Sequence, residues 1–219
     1  MKACLLTLLT AIVAAGCAAP AAPIAVSNID RSSSVRIMDM RPANERQGEV
    51  FSVLITSDAY GTSRLKDDSV QPSPVRLLQH RTFERFGLLG QPVTLTVHHL
   101  VVYRNLSGPG KSRAAIAVGG AIGTVLGSGN ANQPNGSVSS VAERAAFDST
   151  GPNEWKRALY SSAENPNSAL CFVIYVDSEI RGKRVFTKTV YTASMDDINS
   201  AVPKAVEAAI AHHLDQHSN

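Results

Sequence analysis

The sequence predicts an α+β domain: a mostly antiparallel sheet with two helices on one face, plus a glycine-rich insertion. Three features carry that expectation. Residues 92–105 (PVTLTVHHLVVYRN) set Val93, Leu95, Val97, His99, Val101 and Tyr103 in alternation with Thr94, Thr96, His98, Leu100 and Val102, the two-residue period of a strand. Residues 170–180 and 184–191 are β-branched and apolar, and they flank Arg181-Gly182-Lys183 as the two arms of a hairpin. Two segments, one after Ser73 and one after Ser194, carry the spacing of amphipathic helices.

Taken in order, Val35 to Met40 is a short strand ended by Arg41-Pro42, and Val50 to Thr56 is a second, β-branched one. Tyr60-Gly61 reads as a turn. Ser73 is placed to cap a helix whose first position is Pro74. Val75, Leu78, Thr82, Phe83 and Phe86 fall close to one face of it, and Gly87 stops it. After the long strand and the hairpin comes the last helix. Its start is either a capping box, Ser194 with Asp197, or Ser200 with Pro203 in the first turn. Ile198, Val202, Val206, Ile210 and Leu214 mark its apolar stripe.

Between Asn105 and Asn167 the periodicity breaks. Gly, Ser, Asn and Pro are dense from Gly127 to Ser137, and a weak helix pattern runs from Val138 to Phe147. A stretch of this length without regular structure is usually functional or low in order.

The N-terminus has a different character. Met1-Lys2 is followed by an uncharged, largely apolar run to Ala15, about a dozen residues, where a membrane-spanning helix needs about 20. That is the length of the h-region of a secretory signal. Ala14-Ala15-Gly16-Cys17 follows and resembles the bacterial lipobox, with Ala14 where Leu is commoner. The resemblance implies cleavage before Cys17, acylation of Cys17, and outer-membrane sorting, because residue 18 is Ala rather than Asp. Several acyl chains on one residue hold durably, since each buried methylene contributes about 0.8 kcal/mol.

On this reading, residues 1–16 are a signal peptide and 17–33 are the lipidated cysteine with a tether. Residues 34–219 are one α+β domain carrying a low-order insertion at about 106–167. With Cys4 removed and Cys17 a thioether, Cys171 stands alone in an apolar run, as a small buried hydrophobe. Beyond the lipobox, Asp39-x-Arg41-Pro42, Tyr60-Gly61-x-x-Arg64-x-x-Asp67-Asp68 and the Val93–Tyr103 strand resemble small Gram-negative lipoproteins of unassigned role. More loosely, they resemble auxiliary lipoproteins of envelope transport systems. That resemblance implies no catalytic residues.

Other chemistries find little support. The net charge is +3 and no basic cluster exceeds Lys183-Arg184, so the phosphate-contacting stripe of a nucleic-acid binder is absent. Gly108-Pro109-Gly110-Lys111-Ser112 falls short of a phosphate-binding loop. Asn105 occupies the first glycine position, and Pro109 removes an N–H donor. No nucleotide and no cofactor is expected.

His213 and His217 stand at the i, i+4 spacing that presents two imidazoles to one metal, but they lie in a terminal turn with no Glu between them as in H-E-x-x-H. No metal site is assigned to them. His98 and His99, on opposite faces of a regular strand, do not chelate together. No G-x-S-x-G is present. Asp39 with Arg41, and Arg64 with Asp67-Asp68, form either an ion-pair network near the strand ends or solvated turn charges.

Residues 114–129 (AAIAVGGAIGTVLGSG) are charge-free and place Gly119, Gly123 and Gly127 four apart, the spacing that lets helices approach closely. They either pack on the domain's own sheet, form a mobile loop, or make a membrane or oligomer contact. The function expected is therefore non-enzymatic: an outer-membrane-anchored periplasmic lipoprotein, an accessory or scaffold that binds another envelope component. The alternative is an oligomeric lipoprotein whose glycine-rich segment contacts or enters the membrane.

Overall fold

A computed structural model describes residues 22–46, 52–56, 60–87, 92–106, 136–151, 154–160, 170–193 and 198–218. The elements are β1 (Ala22–Pro23), a 3-10 helix (Ile29–Ser34), β2 (Val35–Asp39), α1 (Ala43–Arg46), β3 (Ser52–Thr56) and β4 (Tyr60–Arg64). A 3-10 turn (Asp67–Ser69), β5 (Val70–Gln71), α2 (Pro74–Phe86) and β6 (Val93–Leu106) follow. The chain continues through β7 (Gly136–Val141), α3 (Arg144–Ser149), a 3-10 helix (Glu154–Ala158), β8 (Leu170–Ile180), β9 (Lys183–Ala193) and α4 (Ile198–Ser218). The fold is α+β.

The main sheet runs β3-β4-β6-β8-β9-β7, with β2 also paired to β6. Every pairing in it is antiparallel except β2 with β6. The 14-residue β6 organises the sheet. One of its edges pairs with β8 from Leu95 to Leu106. The other is shared end to end, β2 along Val93–Val97 and β4 along Tyr103–Leu106. Tyr60-Gly61, read as a turn, opens β4 instead, because β3 supplies its ladder.

The alternation of β6 is corrected by a bulge. Val97 pairs with Ser178, but the next partner, Asp177, pairs with His99, so His98 is an extra residue. Val93, Leu95 and Val97 therefore share a face with Leu100 and Val102, and all five join the core beneath the helices. His99, Val101 and Tyr103 turn to the other face, where Val101 and Tyr103 enter a second core with Phe147, Tyr160, Tyr175 and Phe186.

Both long helices pack on the first face, as the sequence predicts. Ser73 Oγ accepts from the Arg76 amide at 3.4 Å to cap α2. Val75, Leu77 and Leu78 are buried with Ala201, Ala205, Val206, Ala209, Ile210 and Leu214 of α4. Arg81 of α2 forks onto the Glu207 carboxylate of α4, at 3.1 and 2.6 Å. At roughly 25 cal/mol per Å2 of apolar surface, this burial is the principal source of stability.

The insertion contributes structure of its own. Val138–Phe147, read as a weak helix, is an edge strand paired to β9 followed by the short α3. Phe147 and Ala158 then cover the second face of the sheet.

Candidate functional site

The residues singled out for lipidation and for membrane or oligomer contact, Cys17, Gly119, Gly123 and Gly127, lie outside the described residues, as does the loop Gly108–Ser112. Asn105, which stands at the first position of that loop motif, is a packing residue. It is 1% exposed, its Nδ2 donates to the Ala158 carbonyl at 3.0 Å, and its Oδ1 accepts from the Thr62 hydroxyl.

The segment expected to be a tether is docked on the domain at its far end. β1 runs parallel to β5, the Ile24 amide donates to the Gln71 carbonyl at 2.7 Å, and Ile24 and Val26 pack against the first core. Ordered structure is thus already present at residue 22, ahead of the boundary expected at residue 34. Apolar side chains at 24 and 26 gain more from burial than the small, proline-punctuated segment would keep as a solvated coil. Beside it, Pro23, Ile24, Tyr191, Pro203 and Lys204 line an open groove of about 670 Å3.

Of the two readings left open for these charges, an ion-pair network or solvated turn charges, the structure shows ion pairs, in two separate clusters. Arg41, 4% exposed, forks onto Asp39 at 3.0 Å and onto Asp67 at 3.0 and 2.8 Å. Burial works to raise the Asp39 pKa, but hydrogen bonds from the Arg41 guanidinium and amide outweigh it and hold the carboxyl below its ordinary value. Arg64, however, meets Glu154 at 2.6 Å rather than Asp67-Asp68. Tyr103 donates to the same carboxylate at 2.9 Å. Burial, then the Glu154 charge, push the Tyr103 hydroxyl well up, so it remains a donor.

On the second face Asp177 is wholly buried and contacts two guanidiniums. Arg184 donates to it at 3.0 and 2.9 Å, and Arg144 of α3 approaches from above. Beside it His99 Nδ1 lies 2.8 Å from the Glu45 carboxylate, whose second oxygen is buried with no hydrogen-bond partner among the described residues. The bulge also removes the strict alternation expected to separate His98 from His99. Burial lowers the His98 pKa, and Arg184, Arg144 and His99 act in the same direction, outweighing the Glu179 carboxylate, which raises it.

The last polar cluster lies between the sheet and α4. His213 Nε2 is 2.7 Å from Ser178 Oγ, and its Nδ1 is 2.9 Å from Thr187 Oγ1. His217 Nε2 is 3.3 Å from both Ser178 Oγ and His213 Nε2. Burial pushes His213 down to about 3 and His217 to about 4, aided by the charge of neighbouring His217 and His212 on the first and Lys183 on the second. Both are neutral at pH 7. Sequence reasoning singled out the two histidines but missed Ser178 and Thr187, since only the β8–β9 register brings these hydroxyls beneath α4.

A serine–histidine pair invites comparison with a hydrolase. Here Ser178 and His213 are each 0% exposed, sealed between sheet and helix, where no substrate carbonyl reaches the hydroxyl. Cys171, 1% exposed, is a buried thiol, in keeping with its apolar run. Among the described residues no three His, Cys, Asp or Glu side chains gather, and no helix is long and apolar enough to cross a membrane. Compared with protein-family models, curated proteins and solved structures, the chain matches none.

Proposed function

We propose that this chain is a lipoprotein anchored through Cys17 to the outer membrane, facing the periplasm, and that it serves there as a non-enzymatic accessory or scaffold for another envelope component. One observation carries the reading: Ala22–Val26 is docked on the domain immediately after the lipobox-like stretch. Only residues 18–21 separate Cys17 from the docked strand, a reach of about 16 Å at full extension. A domain so tethered rides against the bilayer surface, where a fixed partner in the same membrane can meet it repeatedly. The polar clusters fit a scaffold, since each ties one element of the fold to another.

Metabolic palmitate labelling and membrane fractionation test the anchor. Wild type is expected in the outer-membrane fraction with label, and Cys17→Ser in neither. Label retained by Cys17→Ser overturns the reading. The mass of the detergent-solubilised chain is expected to be that of a monomer.

A further inference from the structure

β7 closes one end of the main sheet, with β9 on its inner side and no strand beyond it among the described residues. Natural sheet edges are usually blunted by charge, proline or a bulge, because unpaired backbone groups template the addition of another strand. The opposite edge, β3, is interrupted by a register shift between Leu54 and Thr56. β7 has no such protection. Its six residues, GSVSSV, include no charge and no proline, and its ladder to β9 is unbroken. We propose that this edge is the docking site for an extended segment of the envelope partner, which adds as a further strand and brings a carboxylate to the C-terminal end of β7. The proposal rests on the reading of the chain as an accessory to another envelope component, and it gives that partner a chemistry.

The backbone determines which groups a docked strand meets. The Ala142 amide donates to the Phe186 carbonyl at 2.8 Å, so Ala142 faces β9. Backbone direction alternates along an antiparallel ladder, so Val138 and Ser140 face β9 too. Ser137, Ser139 and Val141 direct their N–H and C=O groups outward, where they have no backbone partner among the described residues. Val138 is 46% exposed and Val141 64%, on opposite faces of the strand. An added strand satisfies the outward groups and covers both apolar side chains.

The sign of the partner follows from the cleft beside this edge. Ser140 and Val141 line a cleft of about 380 Å3 together with the aromatic Phe147 and Tyr175. Lys156, Arg157 and Lys188 also line it, against one carboxylate, Glu143, among the described residues. Arg157 is held in place for an anion. Its guanidinium lies 4.0 Å from the centre of the Phe147 ring, and its Nε donates to Thr150 Oγ1 at 2.7 Å. The two terminal nitrogens are left as a fork that matches a carboxylate. A second copy of the chain fits less well. Antiparallel pairing of β7 with itself brings the stretch before β7 toward the cleft, and residues 127–135 (GSGNANQPN) hold no carboxylate.

The test uses the full chain in detergent and two synthetic octapeptides of alternating Thr and Val, one ending in Glu with a free carboxylate, the other in Lys with an amide. The acidic peptide is expected to bind about tenfold more tightly, the effect of hydrogen bonds to a charged group. Once bound, it should slow amide exchange at Ser137, Ser139 and Val141, while Val138 and Ser140, already bonded to β9, change little. Ser139→Pro removes an outward donor and spares the ladder to β9, so it should keep the circular dichroism and lose the peptide. Should that variant fail to fold, the exchange pattern of wild type decides alone. Arg157→Gln should bind both peptides with similar affinity. No binding, protection confined to other amides, or no preference for the acidic peptide in wild type overturns the proposal. So does a dimer whose three outward amides are protected without peptide, because a second copy then holds the edge. Palmitate labelling at Cys17 is read separately, so an unlabelled chain that takes the peptide sinks the anchor and leaves the docking edge standing.

Discussion

Asp177 and Arg184 meet at 2.9 Å, although the carboxylate is wholly buried and the guanidinium is nearly half exposed. The two ends of this ion pair therefore carry unequal risk. Removing the carboxylate leaves guanidiniums that can turn toward water. Removing the guanidiniums of both Arg184 and Arg144 strands a charge beneath α3. The double change Arg144→Ala with Arg184→Ala is expected to cost about 3–5 kcal/mol, and Asp177→Asn clearly less. Urea denaturation of the two variants measures the order, and a larger loss in Asp177→Asn would refute the argument.

The docked segment makes a prediction about the boundary of the domain. Ile24 is half-buried against the first core, so Ile24→Ala should cost about 1 kcal/mol, below the range for a fully buried site. It should also loosen β1 from β5. Amide exchange at residue 24, protected by the bond to Gln71, should then speed up well before the main sheet exchanges.

Asp39 sets an acid limit. Its folded pKa is below the ordinary carboxylate value, so between the two values the unfolded chain binds more protons than the folded one. The stabilisation is therefore fully present above about pH 4, near the unfolded value. It is lost as pH falls through the lower folded value. Asp39→Asn should flatten that part of the stability curve while lowering stability at pH 7. A wild-type curve with no steeper acid slope than Asp39→Asn would contradict this.

Cys171 should be silent in the native protein. With 1% exposure near the start of β8, its thiol is expected to react with a maleimide only when the domain opens. Labelling should be slow in buffer and rapid in denaturant. Fast native labelling would show β8 to be accessible.

The parts of the fold legible in the sequence are those where one local pattern decides the outcome. The β8–β9 hairpin turns at Arg181 and Gly182, both at positive φ, where glycine's freedom at residue 182 marked the turn. The α2 boundaries followed from Ser73, Pro74 and Gly87. What escaped depends on partners distant in sequence. The β7 segment, GSVSSV, has no strong propensity for a strand, and its ladder comes from β9, far along the chain. Glu154 carries no signal in its own segment, yet it takes the Arg64 charge that local spacing pairs with Asp67. The bulge at His98 has no local signature, because both faces of β6 are apolar enough to hide a slip. The histidine pair was visible as a spacing, but the hydroxyls that meet it come from two strands.

That bulge gives β6 a counting property. Because Val97 and His99 face consecutive residues of β8, the chain on either side of His98 is already in step, and His98 is one residue over the count. A deletion of His98 alone would splice the two halves into a continuous ladder, leaving Leu95 and Val102 on the faces they now occupy. A deletion anywhere from Val101 to Tyr103 would instead invert everything to one side of it, turning core residues to the wrong face. The longest strand among the described residues thus tolerates shortening at one residue, and the frame of both neighbours on its shared edge depends on where the cut is made.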